Sequence, residues 1–343
     1  MKRHHNTLYV TTQGAHLASE GETVVVRVEQ EDRLRLPVHL LEGIVCFGRV
    51  SASPQLMAAC SERGVSISFL SEHGRFLARV VGPVSGNVLL RREQYRRADA
   101  AEYSAFVAQA MVTAKVANCR TVLQRALRDH GGGAADGPVG GAVDDLARVL
   151  ERLEGPMDLE SVRGAEGDAA RTDFAVFDHL IVAQKDAFFF RERTRRPPLD
   201  NVNALLSFVY TLLTHDARSA LEAVGLDPQV GFLHRDRPGR PSLALDLIEE
   251  FRPFLADRLV LSLINRRQVQ AAGFVRSETG GVTMDDDTRK AVLVAYQERK
   301  NEELKHPFLG EDTTVGMLVH LQALMLARLL RDDLDGYPAF VWR

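Results

Sequence analysis

Residues Arg75–Ala100 read RFLARVVGPVSGNVLLRREQYRRADA, and this stretch changes character in its middle. Arg75–Val81 is a short apolar run of strand length. Pro83 and Gly86 then interrupt it, and from Asn87 the apolar residues recur at helical spacing. The switch predicts a domain boundary near residues 83–88, with β-structure in front and helices behind.

Working outward toward the N-terminus, Thr7–Thr12, Ala15–Ser19, Thr23–Val28 and Leu34–Val38 are short and rich in β-branched residues, with Gly14 and Gly21 as turn signals. Gly43–Gly48 adds a further strand. Ser53–Arg63 reads as one helix, with Ser53 as its N-cap, Pro54 in its first turn and Gly64 at its end. Val65–Leu70 and Arg75–Val81 are expected to close this segment as a hairpin around His73-Gly74.

Toward the C-terminus, Leu89–His130 reads as one long helical stretch. The glycine-rich Gly131–Gly141 is expected to be a loop outside any packed element. Helical patterns follow at Ala142–Leu153, Asp158–Leu180, Asp200–Val224, Ser242–Leu255, Asp285–Glu303 and Thr313–Leu330. The predicted fold class is therefore α+β: a small N-terminal β-rich domain, residues 1–84, followed by a larger all-α domain, residues 85–343.

Composition agrees with a folded chain of about two domains: 343 residues, 45% apolar and 26% charged. The formal charge of −3, from 43 basic and 46 acidic residues, is an average that does not exclude local basic stripes. Cys46, Cys60 and Cys119 are too few and too scattered for a disulfide framework or a CxxC metal site. No apolar run approaches the roughly 20 residues of a membrane span. A cytoplasmic location is expected.

Phosphate-loop, dinucleotide-binding, HExxH and GxSxG patterns are all missing from the sequence. The chemistry-bearing residues concentrate between 160 and 255. Arg163–Arg171 (RGAEGDAAR) sets Glu166 among small residues that would let another backbone or a ligand approach. The alternative is a solvent-facing glutamate in a packing seam. His234 ends the run GFLH, where, taken alone, it reads as a structural histidine ahead of a ligand. In Ser242–Pro253 (SLALDLIEEFRP), Asp246, Glu249 and Glu250 stand at i, i+3 and i+4. Like charges so close call for a cation, either an arginine from elsewhere or a metal, unless they form a solvated face. The stretch Lys185–Asp200 carries five basic residues and interleaved phenylalanines. That mixture suits a phosphate backbone; a basic loop over a buried phenylalanine patch is the alternative. One glutamate, one histidine and one or two carboxylates from a third element form a mixed O/N donor set suited to Mg²⁺ or Mn²⁺. Beside a basic loop, such a set suggests phosphodiester chemistry.

Several ordered blocks carry a resemblance: RGAEGDAAR, RRPPLDNVNALLSFVYTLL (Arg195–Leu213), GFLHRDRPGRPSLALDLIEEFRP (Gly231–Pro253), AYQERKNEELKHPFL (Ala295–Leu309) and the closing QALMLARLLRDDLDGYPAFVWR. Together the chain resembles the CRISPR-associated endonuclease/integrase of the adaptation module (the Cas-one family), most nearly its type I-C branch. The resemblance implies a β-domain serving dimerisation and a helical catalytic domain. It places the three metal ligands on Glu166, His234 and Glu249, with Asp246 as a second choice for the third. Tyr210 matches a tyrosine near the active site whose hydroxyl would position a phosphate. To these the charge pattern adds Lys185, Arg195, Arg196 and Arg252 as phosphate contacts.

The implied reaction is attack by the 3′-hydroxyl of a protospacer fragment on a phosphodiester of a CRISPR repeat, with Mg²⁺ or Mn²⁺ as cofactor. The implied partners are DNA, a second copy of the chain, a smaller Cas-two companion in a heterohexamer and an iron–sulfur nuclease. Two other functions use the same residues: a structure-specific nuclease of branched DNA without integration, and a DNA-binding scaffold whose acidic cluster is structural.

Overall fold

The computed structural model describes residues 6–72, 74, 76–82, 88–130 and 137–342. The predicted boundary at 83–87, His73 and Arg75 of the hairpin, and residues 131–136 of the glycine stretch lie outside the described residues.

The N-terminal segment forms β1 (Asn6–Val10), β2 (His16–Glu20), β3 (Thr23–Val28), β4 (Glu31–Pro37), β5 (Leu41–Phe47) and β6 (Ser51–Ala52), then α1 (Pro54–Glu62), β7 (Ser66–Leu70) and β8 (Phe76–Val80). They assemble two four-stranded sheets, ordered β1-β5-β7-β8 and β4-β3-β2-β6. Helix α1 starts as its sequence dictates. The Ser53 side chain accepts from Leu56 N at 3.2 Å, and Pro54 needs no intrahelical donor.

The apolar run of β5 follows from burial on both faces. Ile44 and Cys46 point into the N-terminal core with Leu17, Val24, Leu56 and Ile67, whereas Val45 and Phe47 point into the helical core. The Phe47 ring lies 6.0 Å from Phe208, and Ser66 accepts a hydrogen bond from Ser219 at 3.0 Å. The sheet thus forms one wall of the helical domain.

The remainder contains α2 (Val88–Asp99), α3 (Ala101–His130), α4 (Pro138–Arg152), α5 (Leu159–Val176), α6 (Asn201–Ala223), α7 (Ser242–Glu249), α8 (Arg258–Asn265), α9 (Asp286–Asn301) and α10 (Val315–Leu330). Four expectations need correction. The stretch Leu89–His130 is two helices that break at Ala100, where the Ser104 hydroxyl donates to the Ala98 carbonyl at 2.9 Å and satisfies the end of α2. The expected loop Gly131–Gly141 gives up its last four residues to α4: Pro138 opens the helix and Gly140 is buried. The expected helix Ser242–Leu255 stops at Glu249 and continues as a π-helical segment, Arg252–Asp257, before α8. Pro253 explains the break, since it has no N–H and its ring crowds the Glu249 carbonyl. Finally, the helical domain carries two small ribbons, β9 (Phe274–Arg276) with β10 (Val282–Met284) and β11 (Glu303–Lys305) with β12 (Asp312–Thr314). Three-residue strands are too short to show a period of two.

Candidate metal and phosphodiester site

Four elements meet at the site: α3, α5, the turn before α7, and the end of α7 with the π-segment behind it. The Asp158 carboxylate caps α5 by accepting from Ser161 N at 2.8 Å. Two turns further on, Ala165 and Ala169 pack into the core and leave Glu166 half-buried. A side chain at Gly164 or Gly167 would meet nothing within 4 Å. No neighbouring backbone uses those glycines, so the packing half of the small-residue expectation fails and the approach to Glu166 stays open.

His234 is held by Asp246. The Oδ2 of Asp246 accepts from Phe232 N at 2.7 Å and Leu233 N at 2.9 Å, while Oδ1 accepts from His234 N at 2.9 Å and lies 2.6 Å from His234 Nδ1. Three converging amides need a close backbone approach, which Gly231 permits: a Cβ there would lie 2.5 Å from Asp246 Oδ2. With a proton on Nδ1 shared with Asp246, Nε2 is left with a lone pair, the tautomer suited to a metal. That nitrogen lies 4.0 Å from Glu249 Oε1. Asp246 is wholly committed to this turn, so it orients His234 and Glu249 is the carboxylate facing Glu166.

Asp246, Glu249 and Glu250 do not share a face in the way their spacing suggests. Each is claimed separately. Glu250 accepts from Tyr337 Oη at 2.5 Å, Phe340 N at 2.6 Å and Gln322 Nε2 at 3.1 Å, all inside the protein. Glu249 receives cations instead: Arg252 Nη1 lies 2.6 Å from Oε1 and Lys115 Nζ 2.6 Å from Oε2. Burial pushes Glu249 up, but Arg252, Lys115 and His234 together pull it down to about 2.

Lys115 also bonds Glu166, so one ammonium bridges the two carboxylates. Burial pulls this lysine down, yet Glu249 and Glu166 hold it well above the usual lysine range. Sequence reasoning missed it. Its signal was a lone lysine on the buried stripe of Met111–Cys119 (MVTAKVANC), where Met111, Val112, Val116 and Cys119 are all buried.

The Tyr210 hydroxyl donates to Asp257 Oδ1 at 2.6 Å. Its ring lies between two guanidinium groups, Arg252 at 5.0 Å and Arg193 at 5.4 Å. Arg193 is a second residue the sequence did not single out. It also binds Asn203 Oδ1 and Ser207 Oγ, fastening the basic loop to α6.

Within that loop, Phe188 and Phe190 are core residues, and only Phe189 is exposed, under Arg191. Arg195 and Arg196 are solvent-exposed. Arg195 stands near enough to Arg193 and Arg240 to depress both electrostatically. Lys185 pairs with Asp178 at 3.7 Å, and no described contact ties it or Arg196 to the carboxylates.

Two hard carboxylates and one imidazole nitrogen are a fitting donor set for Mg²⁺ or Mn²⁺. Glu249 Oε2 is buried and has no aligned hydrogen-bond donor, because Lys115 approaches it off the hydrogen-bond direction. As the side chains lie, no three His, Cys, Asp or Glu among the described residues stand together closely enough to hold an ion. Lys115 lies between the two glutamates.

The family described as CRISPR associated protein Cas1 matches residues 8–298. The CRISPR-associated endonuclease Cas1 1 of Chlorobaculum tepidum is 56% identical over 343 residues, the whole of both chains. A CRISPR-associated exonuclease Cas4/endonuclease Cas1 fusion of Geobacter sulfurreducens is 35% identical over 98% of this chain and 60% of its own. Among solved structures, a casposase bound to integration product superposes with a TM-score of 0.84 at 22% identity, covering 98% of this chain and 94% of that one. The family match over most of the chain and the full-length likeness agree: this chain belongs to the Cas1 family of CRISPR-associated proteins.

Proposed function

We propose that this protein is a metal-dependent DNA endonuclease and integrase of CRISPR adaptation, joining protospacer fragments to the CRISPR array by 3′-hydroxyl transesterification. The observation that carries this reading is the convergence of Glu166, Glu249 and the Asp246-oriented His234 on one charged, half-open site. Glu166, Glu249 and His234 Nε2 would hold Mg²⁺ or Mn²⁺, which lowers the pKa of an attacking hydroxyl and neutralises developing charge on the phosphoryl oxygens.

The chain's own residues supply the rest. Asp246 fixes the His234 ring, and Arg252 holds Glu249 through Oε1. Arg193, Arg195 and Arg240 gather positive charge beside the carboxylates, where a DNA backbone would lie. In the transfer, the fragment's 3′-oxygen forms a bond to phosphorus as the array's own P–O3′ bond breaks. The departing 3′-oxygen takes up a proton, so one phosphodiester replaces another. Water in place of the 3′-hydroxyl gives cleavage at the same site.

DNA, a second copy of the chain and a Cas-two companion are the proposed partners. The Cas4/Cas1 fusion supports a nuclease partner acting on the same DNA.

The test incubates the protein and its companion with a supercoiled array plasmid and a duplex bearing either free or dideoxy 3′-ends. Joined products are expected only with free ends and divalent metal, and they should vanish in Glu166→Ala and His234→Ala. Cut fragments without joined products would leave a structure-specific nuclease. Full transfer by both variants would overturn the metal site.

A further inference from the structure

Lys115 lies between the two glutamates that the reading above assigns to the metal. It projects from α3, is almost wholly buried, and pairs with Glu166 and with Glu249 Oε2. An ammonium ion and a divalent ion cannot both occupy the space between these carboxylates, because their charges repel and both need the same oxygens.

A second acceptor lies on the same helix as Glu166. Asp173 follows it by seven residues, two turns along one face of α5, and is itself buried. The Asp173 carboxyl lies close enough to feel the Lys115 charge. Burial pushes the Asp173 carboxyl up to about 6, against the pull of the Lys115 charge. Asp257 stands behind it, already engaged by Tyr210. A lysine stem is long and unbranched, so its Nζ can swing from one carboxylate toward another without backbone movement.

We infer that Lys115 is an internal counter-ion that holds the metal-free site together, and that an entering divalent ion displaces its ammonium from Glu166 and Glu249 toward Asp173. The inference rests on the metal-site reading and adds a role for residues that do not contact the ion. Without Lys115, two partly buried glutamates would repel across an unfilled gap. With it, the pocket stays assembled at the cost of competition with the metal.

The test is a titration of Mn²⁺ into the metal-free full-length protein at fixed pH and ionic strength, following free Mn²⁺ by electron paramagnetic resonance. Lys115→Met should bind Mn²⁺ at least tenfold more tightly than the unmodified protein, whereas Lys115→Arg, which keeps the cation, should not tighten binding. Asp173→Asn should weaken binding at least threefold by removing the acceptor, and the same change made on top of Lys115→Met should have no effect. Equal or weaker binding by Lys115→Met overturns displacement.

If Lys115→Met does not fold, the Asp173→Asn arm decides alone, and unchanged affinity there also overturns the inference. Failure of the underlying reading looks different. The unmodified protein would then bind no Mn²⁺, or Glu166→Gln would bind it as well as the unmodified protein does.

Discussion

Glu249 and Glu250 sit side by side at the end of α7, both inside the protein, yet they end in opposite states. Burial pushes both carboxyls up. Glu249 meets Arg252, Lys115 and His234 and is pulled down to about 2, whereas Glu250 meets only the neutral donors Tyr337, Phe340 N and Gln322 and rises to about 8. Neutral hydrogen bonds soften desolvation, but opposing charges reverse it. The charged member faces Glu166 and His234, and the neutral one ties down the C-terminal strand of chain. Asn118 completes that tie by donating to the carbonyls of Glu250 and Phe340 and accepting from Trp342 N. One helix end thus serves chemistry on one side and anchoring on the other.

The sharpest way to break this comparison is to neutralise its charged half. Glu249→Gln should cost about a thousandfold or more in strand transfer, because a ligand to the activating ion is lost, while the far-ultraviolet circular dichroism is unchanged. Removing the support of the histidine is the next test. Asp246→Asn should lower activity roughly 10–100-fold, with a weaker Mn²⁺ affinity as the accompanying readout, since the partner that orients a ligand is lost.

The neutral half predicts a stability effect of definite sign. Glu250 stays protonated in the folded protein while glutamates of the unfolded chain ionise above about pH 4.3. Stability from this group is therefore fully present below that value and falls as pH rises to about 8. The slope is about 1.4 kcal/mol for each pH unit in between, as an upper bound. In urea unfolding between pH 5.5 and 8, Glu250→Gln should flatten this decline and leave strand transfer within about threefold. A decline of the same steepness in the variant would assign it elsewhere. The smallest effect belongs to Tyr210. If its ring supports Arg193 and Arg252, Tyr210→Phe should keep activity within roughly threefold and Tyr210→Leu should lose more, by about tenfold, since the cation–π contacts go with the ring.

Much of this was legible in the sequence. The β-rich front came from turn glycines and β-branched runs, and β5 showed its two buried faces as a continuous apolar run. Carboxylate spacing and a family resemblance point to Glu166, His234 and Glu249; the fold sets Lys115 against both glutamates and His234 Nε2 4.0 Å from Glu249. What spacing could not show was where each carboxylate finds its partner. Asp246 is bound by backbone amides of a turn twelve to fourteen residues away, and Glu250 by a segment some ninety residues on. Such partners are fixed by tertiary packing, to which helical periodicity is blind. Pro253 lies inside the helix expected over Ser242–Leu255, and helical periodicity alone does not show the switch to a π-segment at Arg252. Lys115 was legible only as a charged residue on an apolar stripe, and its meaning depends on α5 lying alongside.

The most direct test of the account sets the two neighbours against each other in one assay. Supercoiled array plasmid, a 3′-hydroxyl duplex, the companion protein and Mn²⁺ are incubated with unmodified protein, Glu249→Gln or Glu250→Gln, and joined products are counted. The account expects joining by the unmodified protein and by Glu250→Gln, and none above background by Glu249→Gln. Joining by Glu249→Gln at the unmodified rate would contradict it.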